Sequence, residues 1–420
     1  MDKKFYIKSR ERVAKLLPNG SAMILFAGKD IRESEDQSYE FCINRNFYYL
    51  TGVNEQNDIF VMIKDEDEIK NIMFINKYDE LFAKWNGRKM FSEEVMNLSG
   101  ITDIRYLDEF ENFLNEIKEK YSLYMDIKPN LFSEPLGEEA KLLKTLEGVN
   151  DCHDLIARCR MVKQDEEILE IKKAISVTNK GIKALMENIK PGLYEYQVES
   201  YFDQQIKFNG ASGIAFKTIA ASGANGCILH YHTNNTIIKD NDLVLFDLGA
   251  EYNLYKSDIT RTIPANGKYT ARQKEIYNIV LNGQKLVFSN IKPGITTKEL
   301  NQILIDYYKV ELKRIGLITK DEEVSKYYFH GVSHHLGLDT HDVALRELPL
   351  EAGCVITVEP GLYIAEEGIG IRIEDDALVT NDGAINLSEE IIKEVKQNKI
   401  YGQLLLVNHK QETNTLILQV

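Results

Sequence analysis

Five side chains of the kind that hold metal ions, Asp247, Asp258, His334, Glu359 and Glu374, fall within residues 243–374. Asp247 follows the apolar run 243–246, and Asp258 follows a turn-rich segment, 251–257, so two adjacent antiparallel strands would present both carboxylates to one cavity. His334 stands in the string His330-Gly331-Val332-Ser333-His334-His335-Leu336-Gly337. Glu359 follows the β-branched run 355–358 and precedes Pro360-Gly361. Glu374 closes 369–373, where alternation turns Ile371 and Ile373 one way and Arg372 and Glu374 the other. Each of the five is therefore expected in a buried strand. An unpaired buried carboxylate is strongly disfavoured, and it either keeps its proton or acquires a cation. Arg372 supplies one positive charge, whereas four carboxylates converging with a neutral imidazole match two divalent ions, which bridging carboxylates would hold about 3.5 to 4 Å apart. An oxygen-rich set with one nitrogen favours Mn²⁺ and tolerates Co²⁺ or Zn²⁺, while structural zinc would call for cysteine clusters that this sequence lacks.

The order and spacing of these residues, with the string 330–342 and the string Thr357-Val358-Glu359-Pro360-Gly361, resemble aminopeptidase P, the Xaa-Pro aminopeptidase of the pita-bread metallopeptidases. That family uses an Asp-Asp-His-Glu-Glu set, and all five positions are filled. One small departure is Thr340, where relatives more often carry Val or Ile. The resemblance implies that Asp247 chelates one metal, that His334 and Glu359 take the other, and that Asp258 and Glu374 bridge them. It implies a proton relay by Glu359, hydrogen bonds to the reacting group from His230, His341 and Arg372, and a proline pocket lined by His330. It also implies peptide substrates with proline in second place. Prolidase, which cleaves Xaa-Pro dipeptides, has the same five ligands and stays open as an alternative; so does a binding or scaffold protein that has kept the fold without the chemistry.

Six of the eight histidines, His230, His232, His330, His334, His335 and His341, lie between residues 230 and 341, a concentration that core packing does not require. His232 and His335 are read as bystanders, because the motif does not demand histidine there. Tyr255, Arg261 and Thr262 are read as scaffold, with Thr260 and Thr262 alternating along a strand.

The elements that must position these groups divide the chain. To about residue 155, strand-like runs at 22–27, 59–63 and 72–75 mix with helical segments such as 108–120, which carries Phe110, Phe113, Leu114 and Ile117 at helical spacing. The pattern is a small α/β domain with its own core. Its blocks 46–52 and 85–88 resemble the amino-terminal domain of aminopeptidase P. Phe47 and Tyr49 are expected in the core. Trp85, the sole tryptophan, sits among polar residues and is a candidate for substrate contact, with an oligomer (dimer or tetramer) implied by resemblance alone. From about residue 156 to 400 the chain reads as the catalytic domain, entered through a helix whose first turn holds Asp165, Glu166 and Glu167. Within it Asn188-Ile189-Lys190-Pro191-Gly192 returns as Asn290-Ile291-Lys292-Pro293-Gly294. Both copies precede a predicted helix, 197–208 and 297–312, which is the internal pseudo-twofold of the pita-bread fold. A terminal helix is expected over 387–399 and a strand at 404–407, and no role is assigned to the tail, 401–420.

Composition sets the outer limits. At 420 residues two or three domains are expected, and 44% hydrophobic with 28% charged residues is ordinary for a soluble globular protein. The charge balance, 51 − 65 = −14, argues against nucleic acid or an anionic membrane surface as partner. The charged amino terminus and the short first apolar run fit neither a signal peptide nor a membrane span. Five scattered cysteines, Cys42, Cys152, Cys159, Cys227 and Cys354, fit free thiols, so a cytoplasmic protein is expected.

Overall fold

The computed structural model describes residues 1–127, 142 and 145–395, and the chain falls into two units, Met1–Arg160 and Met161–Val420. The fold is mixed α/β. In the first unit β1 (Ser21–Phe26), β2 (Ile59–Asp65), β3 (Glu68–Ile75), β4 (Asp103–Tyr106), β5 (Ser122–Met125) and β6 (Asn150–Asp151) form one sheet in the order β4-β3-β2-β1-β5-β6. The β1–β2 and β2–β3 pairs are antiparallel and the outer pairs parallel. Every residue of β1 and most of β2 is buried, as expected of strands covered on both faces. The expected helix at 108–120 is a 3₁₀ turn, Leu107–Glu109, followed by Phe110–Ile117, which buries Phe113, Leu114 and Ile117 against the sheet. Phe47 and Tyr49 are fully buried on the short helix Arg45–Thr51. Trp85 lies on the helix Glu80–Asn86, none of whose residues is buried, and is itself 83% exposed.

In the second unit the helix Asp165–Asn188 begins where the acidic first turn predicts, with Glu167 reaching back to the amide of Gln164. The repeated pentapeptides have repeated backbones. Ile189 and Ile291 end their helices in extended conformation, and Gly192 and Gly294 follow with φ of +92° and +94°, a region that glycine enters without strain. The next helices are Glu195–Phe208 and Thr297–Arg314. Each helix pair leads to a three-stranded antiparallel sheet. After β7 (Gly213–Ile214), the first contains β8 (Ile219–Ser222) and β9 (Leu243–Leu248). Past the hairpin β10 (Ala250–Tyr252) and β11 (Tyr255–Lys256), it is completed by β12 (Ile259–Pro264), in the order β12-β9-β8. The second contains β13 (Val355–Val358), with the hairpin β14 (Gly361–Ile364) and β15 (Ile369–Arg372) following it. With β16 (Asp375–Val379) and β17 (Ala384–Asn386), its order is β13-β16-β17. Ile276, Leu304, Ile356, Ile371 and Ile373 share one apolar cluster behind the second sheet.

Of the helix expected over 387–399, residues 387–394 are not helical, and only residue 395 among the described residues is. Residues 387–391 run as turn and bend and 392–394 as irregular chain, with carbonyls taken by side chains from elsewhere: Ile391 O and Ile392 O accept from Arg261, and Lys393 O accepts from Tyr277 Oη. The remainder of that helix, the strand expected at 404–407 and the tail lie outside the described residues. No helix among the described residues is long and apolar enough to cross a membrane.

Candidate metal centre

β9 and β12 pair with Asp247 opposite Thr260, and Asp258 stands one residue before β12 begins. Glu359 follows the last residue of β13, Glu374 lies in the step between β15 and β16, and His334 is in the loop before a single bridge made by His335 to Ile356. Only Asp247 sits inside a strand, then; the expectation of five strand residues is corrected to one. The reason is that a strand end frees the side chain's own backbone for anchoring across sheets. Glu374 N donates to Thr260 O at 3.1 Å, Asp258 N to Asp376 Oδ2 at 3.3 Å, and Glu359 N to Val332 O at 2.9 Å.

These ends meet in one cavity of about 720 Å³, whose lining includes Asp247, Asp258, His334, Glu359, Arg372 and Glu374. Asp258, His334 and Glu374 each offer a ligand atom within 4.8 Å of the others. His334 Nε2 lies 3.4 Å from Asp258 Oδ2 and 3.5 Å from Glu359 Oε1. Its Nδ1 is 3.0 Å from His335 O, which can only accept, so Nδ1 carries the proton and Nε2 is free to ligate. Asp247 Oδ2 accepts from Arg372. Asp247 Oδ1 and Asp258 Oδ1 are buried with no hydrogen-bond partner.

The electrostatics of the cluster favour a cation beside it. Burial first, then repulsion from Asp247, Asp376 and Glu359, drives Asp258 well above the usual carboxylate range. Glu374 is driven up by burial and by Asp258, Glu359 and Asp247. Glu359 is raised by burial, with His334 and Arg372 pulling the other way. Arg372 is the only cation with side-chain bonds to the described cluster. Burial works against its charge, yet Tyr363, Asp247 and Glu374 hold it above its ordinary value. Orphaned oxygens, carboxyls whose charge burial and mutual repulsion disfavour, and an imidazole with a free nitrogen are groups that divalent ions would satisfy, and these residues fit such ions.

Around this core the structure places the remaining candidates. His230 and His341 line the same cavity, and the His341 ring centroid is 4.2 Å from that of His334. Burial, with His334 nearby, pushes His341 down to about 4, so it is neutral at pH 7. His330 is also pushed down to about 4, by burial and then by Arg372. Its Nδ1 donates to Gly331 O at 2.8 Å, which leaves Nε2 to accept from Tyr363 Oη at 2.9 Å. His232 and His335, read as bystanders, line the cavity as well. Trp85 belongs to the first unit. Sequence reasoning read Arg261 as scaffold and Thr260 as a strand residue, without their partners, and passed over Tyr363. Thr260 Oγ1 donates to Glu374 Oε2 at 2.7 Å and accepts from Arg372 Nε at 3.1 Å. Arg261 Nη1 donates to Glu374 O at 2.6 Å, and Tyr363 Oη accepts from Arg372 Nη1 at 3.0 Å. A threonine in strand alternation carries no signal of this kind, because its partner lies 114 residues on.

Comparison with known proteins fits this geometry. Residues 170–381 match the model of metallopeptidase family M24, and residues 6–124 match that of the aminopeptidase P N-terminal domain. The chain is 34% identical to a Xaa-Pro aminopeptidase of Haemophilus influenzae over 94% of its own length and 96% of the relative's. A Bacillus anthracis protein solved as a provisional aminopeptidase P is 44% identical, with a TM-score of 0.93 over 96% of this chain and 99% of that one. A variant of Escherichia coli aminopeptidase P, solved in complex with substrate, is 30% identical, with a TM-score of 0.90 over the same shares.

Proposed function

Because the chain belongs to metallopeptidase family M24, we propose that it is a Xaa-Pro aminopeptidase, hydrolysing the bond between the first residue of a peptide and a proline in second place. The observation that carries the reading is the meeting of Asp258, His334 and Glu374 within one ion's reach, beside the partnerless oxygens Asp247 Oδ1 and Asp258 Oδ1. Asp247, Asp258, His334, Glu359 and Glu374 would hold two divalent cations. When bound, such cations supply Lewis acidity and activate water for attack on a carbonyl. The donor set favours Mn²⁺ over Co²⁺ or Zn²⁺.

The protein's own groups do the rest. Glu359, whose Oε1 lies 3.5 Å from His334 Nε2 on the wall of the cavity, would carry the proton to the leaving proline nitrogen. His341, neutral at pH 7, offers a ring N–H to an oxygen that gains charge during the reaction, and His230 on the same wall is placed to do the same. Arg372 fixes Asp247 and, through Nε, Thr260. The His330 ring, with both nitrogens engaged, presents a fixed face to the cavity and suits an uncharged pyrrolidine. We assign Trp85 a substrate-contact role on a neighbouring copy, which makes an oligomer part of this reading. Five free cysteines and a charge of −14 support a cytoplasmic setting.

The test is hydrolysis of a Xaa-Pro tripeptide by metal-stripped protein to which Mn²⁺ is restored, beside Glu374→Ala and a Xaa-Ala control. Mn²⁺-dependent release of the first residue from the proline peptide alone, lost in the variant, is expected. Turnover confined to Xaa-Pro dipeptides would make the protein a dipeptidase, and silence on both substrates would refute the reading.

A further inference from the structure

Lys163 stands two residues before the helix Asp165–Asn188, and its ammonium is out of water. Nζ lies 2.9 Å from Asp342 Oδ2, and the two side chains are 1% and 2% exposed. A buried ion pair of this kind stabilises a fold little more than a well-packed apolar pair would, since desolvating both charges costs about what their attraction returns. Its presence is better explained by what it fixes.

Asp342 closes the loop that begins at His334. Asp342 Oδ1 accepts from Asp339 N at 3.3 Å, and Asp342 N donates to His335 O at 2.8 Å. That same carbonyl accepts from His334 Nδ1 at 3.0 Å, the bond that turns Nε2 toward Asp258 and Glu359. His341, the residue before Asp342, packs its ring on His334. The loop also closes over the pair without room to spare: a Cβ on Gly337 would overlap the Asp342 carboxylate and stand 3.0 Å from Lys163 Cε. Gly337 O in turn accepts from Lys256 N at 2.9 Å, tying the loop to the hairpin that leads into Asp258.

We propose that Lys163 is a positioning residue for the metal centre: its ammonium clamps Asp342, so that the carbonyl of His335 holds the His334 imidazole at one angle and His341 beside it. The proposal rests on the reading of these residues as a metallopeptidase centre. It places the determinant of ligand geometry outside the cavity, in a side chain that touches neither metal nor substrate.

The test compares wild type with K163M, which removes the ammonium from beside the buried Asp342, and with K163M/D342L, which replaces both charges by apolar groups. Thermal unfolding, Mn²⁺ affinity by calorimetry on stripped protein, and kcat and KM on a Xaa-Pro tripeptide are read for each. K163M should lower Tm and weaken Mn²⁺ binding about 10- to 100-fold, the range found when groups that orient a ligand are removed. The double variant should regain most of the lost Tm yet keep the weak Mn²⁺ binding and the low kcat, with KM nearly unchanged. A double variant that recovers Mn²⁺ affinity and kcat together with Tm would reduce the pair to a structural part and overturn the proposal. If K163M does not fold, the double variant carries the comparison. The Mn²⁺ isotherm needs no substrate, so a wild type that binds Mn²⁺ but leaves Xaa-Pro peptides intact would sink the aminopeptidase reading and leave this one standing.

Discussion

Thr260 shows how small a side chain the acid cluster depends on. Its hydroxyl has one hydrogen, which goes to Glu374 Oε2, and its lone pairs face Arg372 Nε, so it fixes an acceptor and a donor at once. Thr260→Val keeps the shape and removes both bonds, leaving Glu374 with no neutral donor and Arg372 Nε unpaired in a buried place. We expect Mn²⁺ affinity and kcat/KM to fall about tenfold or more with Tm shifted by only a few degrees, as measured by calorimetry and steady-state kinetics. Wild-type Mn²⁺ binding in the variant would show that Glu374 finds its place unaided. At this scale the sequence was readable where chemistry resides in residue type. Aspartate, glutamate and histidine ending apolar runs are expensive to bury, and that expense made them visible. The bonds of Thr260 and Tyr363 and the partner of Arg261, read only as scaffold, were not visible, because threonine and tyrosine are ordinary strand residues and a single arginine commits to no partner. Their roles come from β12 lying against the β15–β16 step, a pairing between residues more than a hundred apart.

Among the elements, the loop 222–236 depends most on a single group. It carries His230, and it has little regular structure of its own beyond the 3₁₀ segment Gly223–Cys227. Glu195, the first residue of the helix Glu195–Phe208, is fully buried and ties the loop at both ends. Oε1 accepts from Ser222 N, Ser222 Oγ and Asn225 Nδ2 at 2.7, 2.7 and 3.0 Å; Oε2 accepts from Tyr231 Oη and Thr236 N at 2.8 and 2.9 Å. Glu195→Ala would strand these donors, and each buried donor left alone costs on the order of 1–3 kcal/mol. We expect a loss of about 3 kcal/mol or more in denaturant unfolding, together with a fall in kcat as His230 loses its place. Unchanged stability would mean that water replaces the carboxylate. The helices and the turns between them were legible here. Asn188 to Gly192 and its repeat gave matching helix ends because proline and glycine at fixed offsets dictate backbone angles locally. What escaped was where strands stop. Asp258, Glu359 and Glu374 continue their strands in pattern, yet lie just outside them, since a ladder ends where its partner strand turns away. Over 387–394 the expected helix failed likewise, as Arg261 and Tyr277 claim carbonyls that a helix would use.

For the molecule as a whole, the carboxyl cluster couples folding to metal and to pH. Asp258, Glu374 and Glu359 have folded pKa values above their unfolded ones, through burial first, with mutual repulsion adding to it. Without metal, the stability they contribute is complete below the ordinary carboxylate range near pH 4 and is lost as pH rises through the folded values. His330, His335 and His341 act in the opposite sense. Their folded values are pushed down to about 4, 3 and 4, chiefly by burial, so their contribution is present above the ordinary histidine value and is lost as pH falls through those numbers. The histidine contribution enters the metal-loaded and metal-stripped curves alike, whereas the carboxyl contribution does not, because a cation binds the deprotonated oxygens and competes with protons for them. On the proposed reading, Mn²⁺ at a thousandfold excess over its Kd would stabilise the fold by about 4 kcal/mol, and that Kd would fall as the protons leave. The difference in Tm between Mn²⁺-loaded and chelator-treated protein should therefore widen from pH 5.5 to pH 8, as followed by scanning calorimetry in matched buffers. A difference that stays constant, or grows toward acid, would mean that these carboxyls are already ionised without a cation, and the charge argument for the metal centre would fail with it.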